Sequence, residues 1–88
     1  MQIEFRESFE KDIAKIKDKK LSAKINFAIH LVEAAATIES IAHIKKLRGH
    51  KNSYRVRIGD YRLGVQYENE ILTFVRCLHR KDIYKYFP

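Results

Sequence analysis

The sequence predicts an α+β fold in the order β-α-α-β-β-β, with a helical hairpin packed on one face of an antiparallel sheet and a short helical turn at the C-terminus. Three observations carry this. Apolar residues recur at helical spacing from Phe9 to Ala35, the period changes to two after Gly49, and Gly59-Asp60 and Glu68-Asn69-Glu70 punctuate the alternating stretch as turns. Packing the helices on one side of the sheet is the simplest two-layer solution, and it leaves the other face for function.

Ile3 and Phe5 alternate with Gln2, Glu4 and Arg6, which suits a short opening strand. Ser8 is placed to cap a helix, with Glu10 and Asp12 in its first turn, where negative charge suits the dipole. Phe9, Ile13 and Ile16 form its apolar face. Asp18-Lys19-Lys20 breaks the pattern, and Leu21, Ile25, Ala28 and Val32 mark a second helix, widened by Ile29 and Ala35. The short connection predicts an antiparallel hairpin. From Thr37 to Leu47 the pattern fits either a helix, through Ile38, Ile41 and Ile44, or a loop starting at Glu39-Ser40. Tyr54, Val56 and Ile58 then face one way and Arg55 and Arg57 the other. Tyr61, Leu63, Val65 and Tyr67 form one face of the next strand, and Ile71 to Leu78 is the last. The tail from Arg80 to Pro88 fits a helical turn.

A chain of 88 residues, 45% hydrophobic, is expected to form one domain, 1–88, without repeat, linker or low-complexity segment. Cys77 is the single cysteine, so no internal disulfide can form. With a charged start at Met1-Gln2-Ile3-Glu4, this points to the reducing cytoplasm. No apolar run approaches the ~20 residues of a membrane helix. The net charge is +7, and it is segregated: Met1 to Ile44 is balanced, seven Lys/Arg against seven Asp/Glu, whereas Lys45 to Pro88 holds eleven against four. A one-sided basic region faces a polyanion or an acidic protein segment.

With Gly59-Asp60 as a two-residue turn, Ile58 opposes Tyr61, Arg57 opposes Arg62, and Arg55 lies opposite Gly64 on the same face. Like charges facing each other destabilise a sheet, so the three guanidiniums either splay into solvent or hold an anion. Gly64 then gives a ligand backbone room to approach. Lys45, Lys46, Arg48, His50 and Lys51 precede this strand, and His79, Arg80, Lys81, Tyr84, Lys85 and Tyr86 follow the last one. Basic groups interleaved with tyrosines suit single-stranded RNA, although Tyr84 serves equally well as a packing residue on a terminal turn. Cys77 and His79 have no second ligand pair, so no metal site is expected; with three glycines there is no Gly-rich phosphate loop. No cofactor is implied.

The element order, together with Lys46-Leu47-Arg48-Gly49, Tyr54-Arg55-Val56-Arg57, Gly59-Asp60-Tyr61-Arg62-Leu63 and Leu78-His79-Arg80-Lys81-Asp82-Ile83-Tyr84, resembles the RelE/ParE toxin superfamily over nearly the whole chain. The resemblance implies the toxin of a type II toxin–antitoxin system: a metal-independent, ribosome-dependent endonuclease that cuts messenger RNA by attack of the 2′-hydroxyl. It also implies a cognate antitoxin that wraps and neutralises it in a hetero-oligomer. By the same resemblance the catalytic set is Arg57, Arg62, His79, Arg80 and Tyr84, with Arg55 on the same active face; the basic groups around it, Lys45, Lys46, Arg48, Lys51 and Lys81, are expected with Arg55 to bind RNA. The chain departs from the RelE pattern where Arg55 and Arg57 replace lysines. Arginine stays protonated and is a poor base, so His79 becomes the candidate for proton transfer. Its face depends on the second turn: two residues put it beside Arg57 and Arg62, three put it on the opposite side. The alternative within the superfamily is a ParE-like toxin that binds and poisons DNA gyrase without cutting RNA.

Overall fold

Every residue from Met1 to Pro88 is described by the computed structural model. The elements run β1 (Gln2–Phe5), α1 (Glu7–Ala14), α2 (Lys19–Ala34), a 3₁₀ turn (Ile38–Ser40), β2 (Ile44–Lys46), β3 (Ser53–Ile58), β4 (Tyr61–Glu68), β5 (Ile71–His79) and α3 (Ile83–Tyr86). They form a five-stranded sheet in the order β1-β5-β4-β3-β2. The expected α+β arrangement is present, with the sheet antiparallel from β2 to β5. The opening strand joins parallel to β5, with Gln2 opposite Ile71 and Phe5 opposite Phe74, so the sheet is mixed. The ambiguous stretch from Thr37 to Leu47 resolves into the 3₁₀ turn, capped by Thr37 and Ser40, and the short edge strand β2.

The two-residue spacing of the strands puts Val56, Leu63, Val65, Leu72, Phe74 and Cys77 on the face covered by the helices. There they meet Phe9 from α1 and Ile25 and Val32 from α2 in one cluster. Asp18 starts α2 by accepting the N–H groups of Lys20 (2.9 Å) and Leu21 (3.2 Å).

Ser8 does not cap α1. Arg6 holds that position without a side-chain bond, and Ser8 lies one turn inside, its hydroxyl donating to the Val75 carbonyl. The reason is tertiary. β1 ends opposite Phe74, which leaves the rest of the β5 edge unpaired, and α1 lies along that edge. Ser8 satisfies the Val75 carbonyl, and the Asp12 carboxylate accepts the Cys77 N–H at 2.9 Å. Asp12 is buried and also takes Arg76 in a two-point contact of 2.8 and 3.1 Å. A helix thus replaces the strand that would otherwise be needed to cover an exposed edge.

The outer face is not bare. Leu47, Ile83 and Phe87 bury themselves against Val75 and Leu78 in a separate small cluster, which docks α3 on the sheet. No helix is long and apolar enough to cross a membrane.

Candidate active site

The β3–β4 hairpin has the register that a two-residue Gly59-Asp60 turn dictates. Ile58 faces Tyr61, Arg57 faces Arg62 and Arg55 faces Gly64, with Gly59 at a φ of 58°. Val56 and Leu63 point into the core, so Arg55, Arg57 and Arg62 stand on the opposite face. Arg62 is anchored at one corner: its Nη1 donates to the Gly59 carbonyl at 2.8 Å and the Tyr61 carbonyl at 2.9 Å. Its pKa is held below the usual guanidinium value, first by burial and then by the charge of Arg55. Arg57 and Arg80 add to the repulsion, and Tyr84 opposes it. Arg62 is therefore the electrostatic centre of the group. The ion pairs of the chain are Lys11–Glu7, Arg76–Asp12, Arg80–Asp60 and Lys85–Asp82, so none of Arg55, Arg57 and Arg62 has a carboxylate partner. The turn also locates Arg80, whose backbone N–H donates to the Asp60 carbonyl at 2.7 Å and whose Nε lies 3.7 Å from the Asp60 carboxylate.

Lys45 joins this face opposite Arg55, Lys46 pairs with Tyr54 and so alternates to the other side of the sheet, and Arg48 follows the strand. With Leu47, Arg55 and Tyr84 they line a cavity of about 350 Å³. The Tyr84 ring stands 61% exposed at its rim, free to stack on a planar ligand, while the neighbouring Ile83 is fully buried and holds the backbone. Lys51 lies farther out, in the loop that continues from Arg48 through His50. Lys81 is exposed, and its backbone N–H donates to His79 Nδ1 at 3.1 Å.

Two expectations fail here for identifiable reasons. The second turn is a two-residue turn, Asn69-Glu70, both with positive φ, which by simple alternation would put His79 beside Arg62. A β-bulge intervenes. Val65 pairs with Phe74 but Gly64 pairs with Arg76, leaving Val75 as the extra residue. Past that point the faces exchange: Arg62 meets Leu78, and His79 meets Tyr61 on the helix side, ring centroids 5.6 Å apart. His79 lines a concavity with Asp12, Lys15 and Ile16 of α1 and its connection, which none of Arg55, Arg57 and Arg62 lines. Gly64 leaves no room for a ligand either. A Cβ there would lie 2.7 Å from the Phe87 ring, which fills the space above the glycine.

One group near the arginines carries no sequence signal. His43, fourteen residues before Arg57, brings its Nδ1 to 3.3 Å of the Arg57 guanidinium. Nothing in the local pattern of Ile41-Ala42-His43-Ile44 distinguishes it. Asp12 and Arg76 were equally illegible as a pair. Asp12 raises the Arg76 pKa, chiefly by the hydrogen bond, and Tyr86 lies over the guanidinium with its centroid 5.6 Å away. That pair braces the β5 edge and takes no part in the cationic face. Burial, reinforced by Asp12, pushes the Cys77 thiol up to about 12, so it is an inert core residue. No three His, Cys, Asp or Glu side chains converge in a metal-binding group.

The sequence profile of the ParE toxin of type II toxin–antitoxin system, parDE, matches residues 3–84. Toxin RelE3 of Methanocaldococcus jannaschii is 34% identical over 89 residues, covering 100% of both chains. Among solved structures, the RelB–RelE antitoxin–toxin complex from Methanococcus jannaschii contains a chain that matches with a TM-score of 0.81 and 33% identity, over 97% of this chain and 99% of that one. The YoeB dimer from Staphylococcus aureus shares the fold, with a TM-score of 0.71 at 22% identity over 90% of this chain and 95% of that one.

Proposed function

The chain belongs to the RelE/ParE superfamily of type II toxin–antitoxin toxins and is a toxin of the RelE kind, and from that premise we propose that it is a ribosome-dependent messenger RNA endonuclease held in check by an antitoxin. One observation carries this reading: Arg62, anchored on the hairpin turn, sits within the fields of Arg55, Arg57, Arg80 and Tyr84, and neither it nor Arg55 or Arg57 has a carboxylate partner. A folded domain gains nothing from such an arrangement by itself; an anion repays it.

The reaction is attack of an RNA 2′-hydroxyl on the adjacent phosphorus. Negative charge gathers on the phosphoryl oxygens in the transition state, and fixed guanidiniums meet it without reorganising. Arg62 and Arg57, side by side, take the two non-bridging oxygens. Arg80 is the cation assigned to the departing 5′-oxygen, and Tyr84 the ring assigned to stack on a splayed base or orient the nucleophile. Lys45, Arg48 and Arg55 hold the flanking backbone, with Lys46, Lys51 and Lys81 at the periphery. The antitoxin partner is read from the RelB–RelE relative, which was crystallised as an antitoxin–toxin complex. An acidic or amphipathic segment crossing the basic face fits the charge excess of the second half, and its association is expected to be fast and salt-sensitive.

The second reading, a gyrase poison that cuts no RNA, draws on the match to the ParE profile. Purified protein added to ribosomes programmed with a defined message separates the two. Cleavage in the decoding site that leaves a 2′,3′-cyclic phosphate, absent without ribosomes, is the expected result. An intact message, with loss of DNA supercoiling by purified gyrase, would replace this reading with the second.

A further inference from the structure

Arginines can stabilise charge but cannot take a proton at neutral pH. The row of Arg55, Arg57 and Arg62 therefore has no base of its own. Of the four histidines, His30 lies on α2 in the groove with Phe5 and Glu10, His50 lies in the loop beside Arg48, and His79 lies beside Tyr61 on the helix side. His43 alone touches an arginine of the row.

We propose that His43 is the proton acceptor of this site, presented to the RNA 2′-hydroxyl from the edge of the sheet next to Arg57. The inference rests on the ribonuclease reading above and adds the group that reading leaves unassigned. Three features place His43 there. Its carbonyl accepts the Arg57 N–H at 3.2 Å, which continues the β2–β3 ladder one step beyond Ile44 and Val56. Arg57 in turn faces Arg62, so His43, Arg57 and Arg62 form one row across three neighbouring chain segments. At ~4.8 Å per strand the row spans about 10 Å, with Arg57 in its middle. The backbone of His43 has a φ of 63°, a left-handed conformation uncommon for a residue with a Cβ. That turn leads into β2, and the ring lies against Arg57.

The Nδ1 contact fixes the chemistry. A guanidinium only donates, so in this contact Nδ1 serves as the acceptor, the role open to it in the tautomer that carries its hydrogen on Nε2. Arg57 from β3 and Lys24 from α2 are the charged groups lining the groove around His43, with Arg62 behind Arg57; no carboxylate lines it. When a phosphate engages Arg57, the guanidinium turns toward the phosphoryl oxygens and releases the Nδ1 lone pair. The 2′-O–H bond then breaks, its proton goes to Nδ1, and the 2′-oxygen bonds to phosphorus. The P–O5′ bond breaks, and the 5′-oxygen takes its proton from water. The products are a 2′,3′-cyclic phosphate, a 5′-hydroxyl and an imidazolium that returns its proton to solvent. The base is thus uncovered only when the anion is in place.

His43→Gln tests this, because the amide oxygen still accepts from Arg57 but cannot take the proton. On programmed ribosomes the variant should keep its melting temperature and its KM and lose about 10²–10⁴-fold in kcat. The wild type is expected to show a rise of kcat between about pH 5 and 8, and the variant to lack it. Imidazole added to the His43→Gly protein should restore part of the rate. A His43→Gln protein that cuts within threefold of the wild type with the same pH profile overturns the proposal while leaving the ribonuclease reading intact. So does a loss confined to KM. A wild type that cuts no message on ribosomes overturns the ribonuclease reading and this inference with it.

Discussion

The two faces of the sheet are built on opposite terms. The helix side gathers eleven buried apolar residues into one cluster, while the outer side buries three, Leu47, Ile83 and Phe87, and gives its centre to arginines. On the inner face Phe9 and Phe74 lie with ring centroids 5.2 Å apart, and at the β5 edge Asp12 satisfies both Arg76 and the N–H of Cys77. On the outer face Arg57 and Arg62 oppose each other directly, a pairing that costs a sheet a few tenths of a kcal/mol or more. The inner face can be explained by folding alone; the outer face cannot, and that asymmetry locates the function.

The comparison can be broken most strongly from the inner side. Phe74 is fully buried between Phe5 and Phe9, and Phe74→Ala should cost about 3–5 kcal/mol, read from urea unfolding. Activity should fall only in proportion to the unfolded fraction. A nearly unchanged midpoint would mean that the inner face does not hold the fold.

Arg62→Ala is the corresponding test of the outer face. Cleavage of ribosome-bound message should drop by about two to three orders of magnitude, the 2.7–4 kcal/mol lost when one donor to a charged transition state is removed. Stability should stay level or rise slightly. A cation whose pKa is lowered on folding weakens the fold as long as it is charged, and the penalty lifts only as pH rises through that lowered value. Across the neutral range it is constant, so the melting difference between Arg62→Ala and the wild type should not vary with pH there. Arg62→Lys should rescue only part of the rate, because the ammonium loses the fork. Full activity in a well-folded Arg62→Ala protein would remove Arg62 from the site.

Gly64 is where the outer face does its own packing. Gly64→Ala forces the Phe87 ring away, an overpacking that should cost roughly 1–3 kcal/mol. Because Tyr84 lies between Ile83 and Phe87, its position should shift as well. Amide exchange from Ile83 to Phe87 should quicken while α2 and β5 stay protected. Equal loosening of both faces would show that they are not separate units.

The smallest effect at neutral pH belongs to Cys77. Its pKa is raised from 9.0 to about 12 in the folded chain, so the buried neutral thiol contributes stability that is complete below about 9 and is lost as pH rises toward 12. Urea midpoints measured across that window should fall more steeply for the wild type than for Cys77→Ala. Parallel curves would show that the thiol is not desolvated by the core.

Much of this was legible residue by residue. The switch of period after Gly49 separates helices from strands, and Gly59-Asp60 alone fixes that Arg57 faces Arg62, because a two-residue turn leaves the hairpin one register. His79 shows the limit of that logic. The same alternation counted back from Asn69-Glu70 fails at Val75, since one inserted residue exchanges every face beyond it. Ser8 shows a second limit: a good capping residue was taken by a β5 carbonyl 67 positions away.

What the sequence determined by itself is the set of relations carried by neighbours in the chain: the α+β class, the segregation of charge into the second half, the β3–β4 register and the arginine row. Only the tertiary structure decided which groups share that row's surroundings. It put Phe87 over Gly64, sent His79 to the helix side and brought His43 against Arg57. Turn geometry and side-chain period act over a few residues and can be read locally. Bulges, edge coverage and cross-element contacts are settled by which distant surfaces are left to be buried or hydrogen-bonded, and those exist only once the sheet has formed.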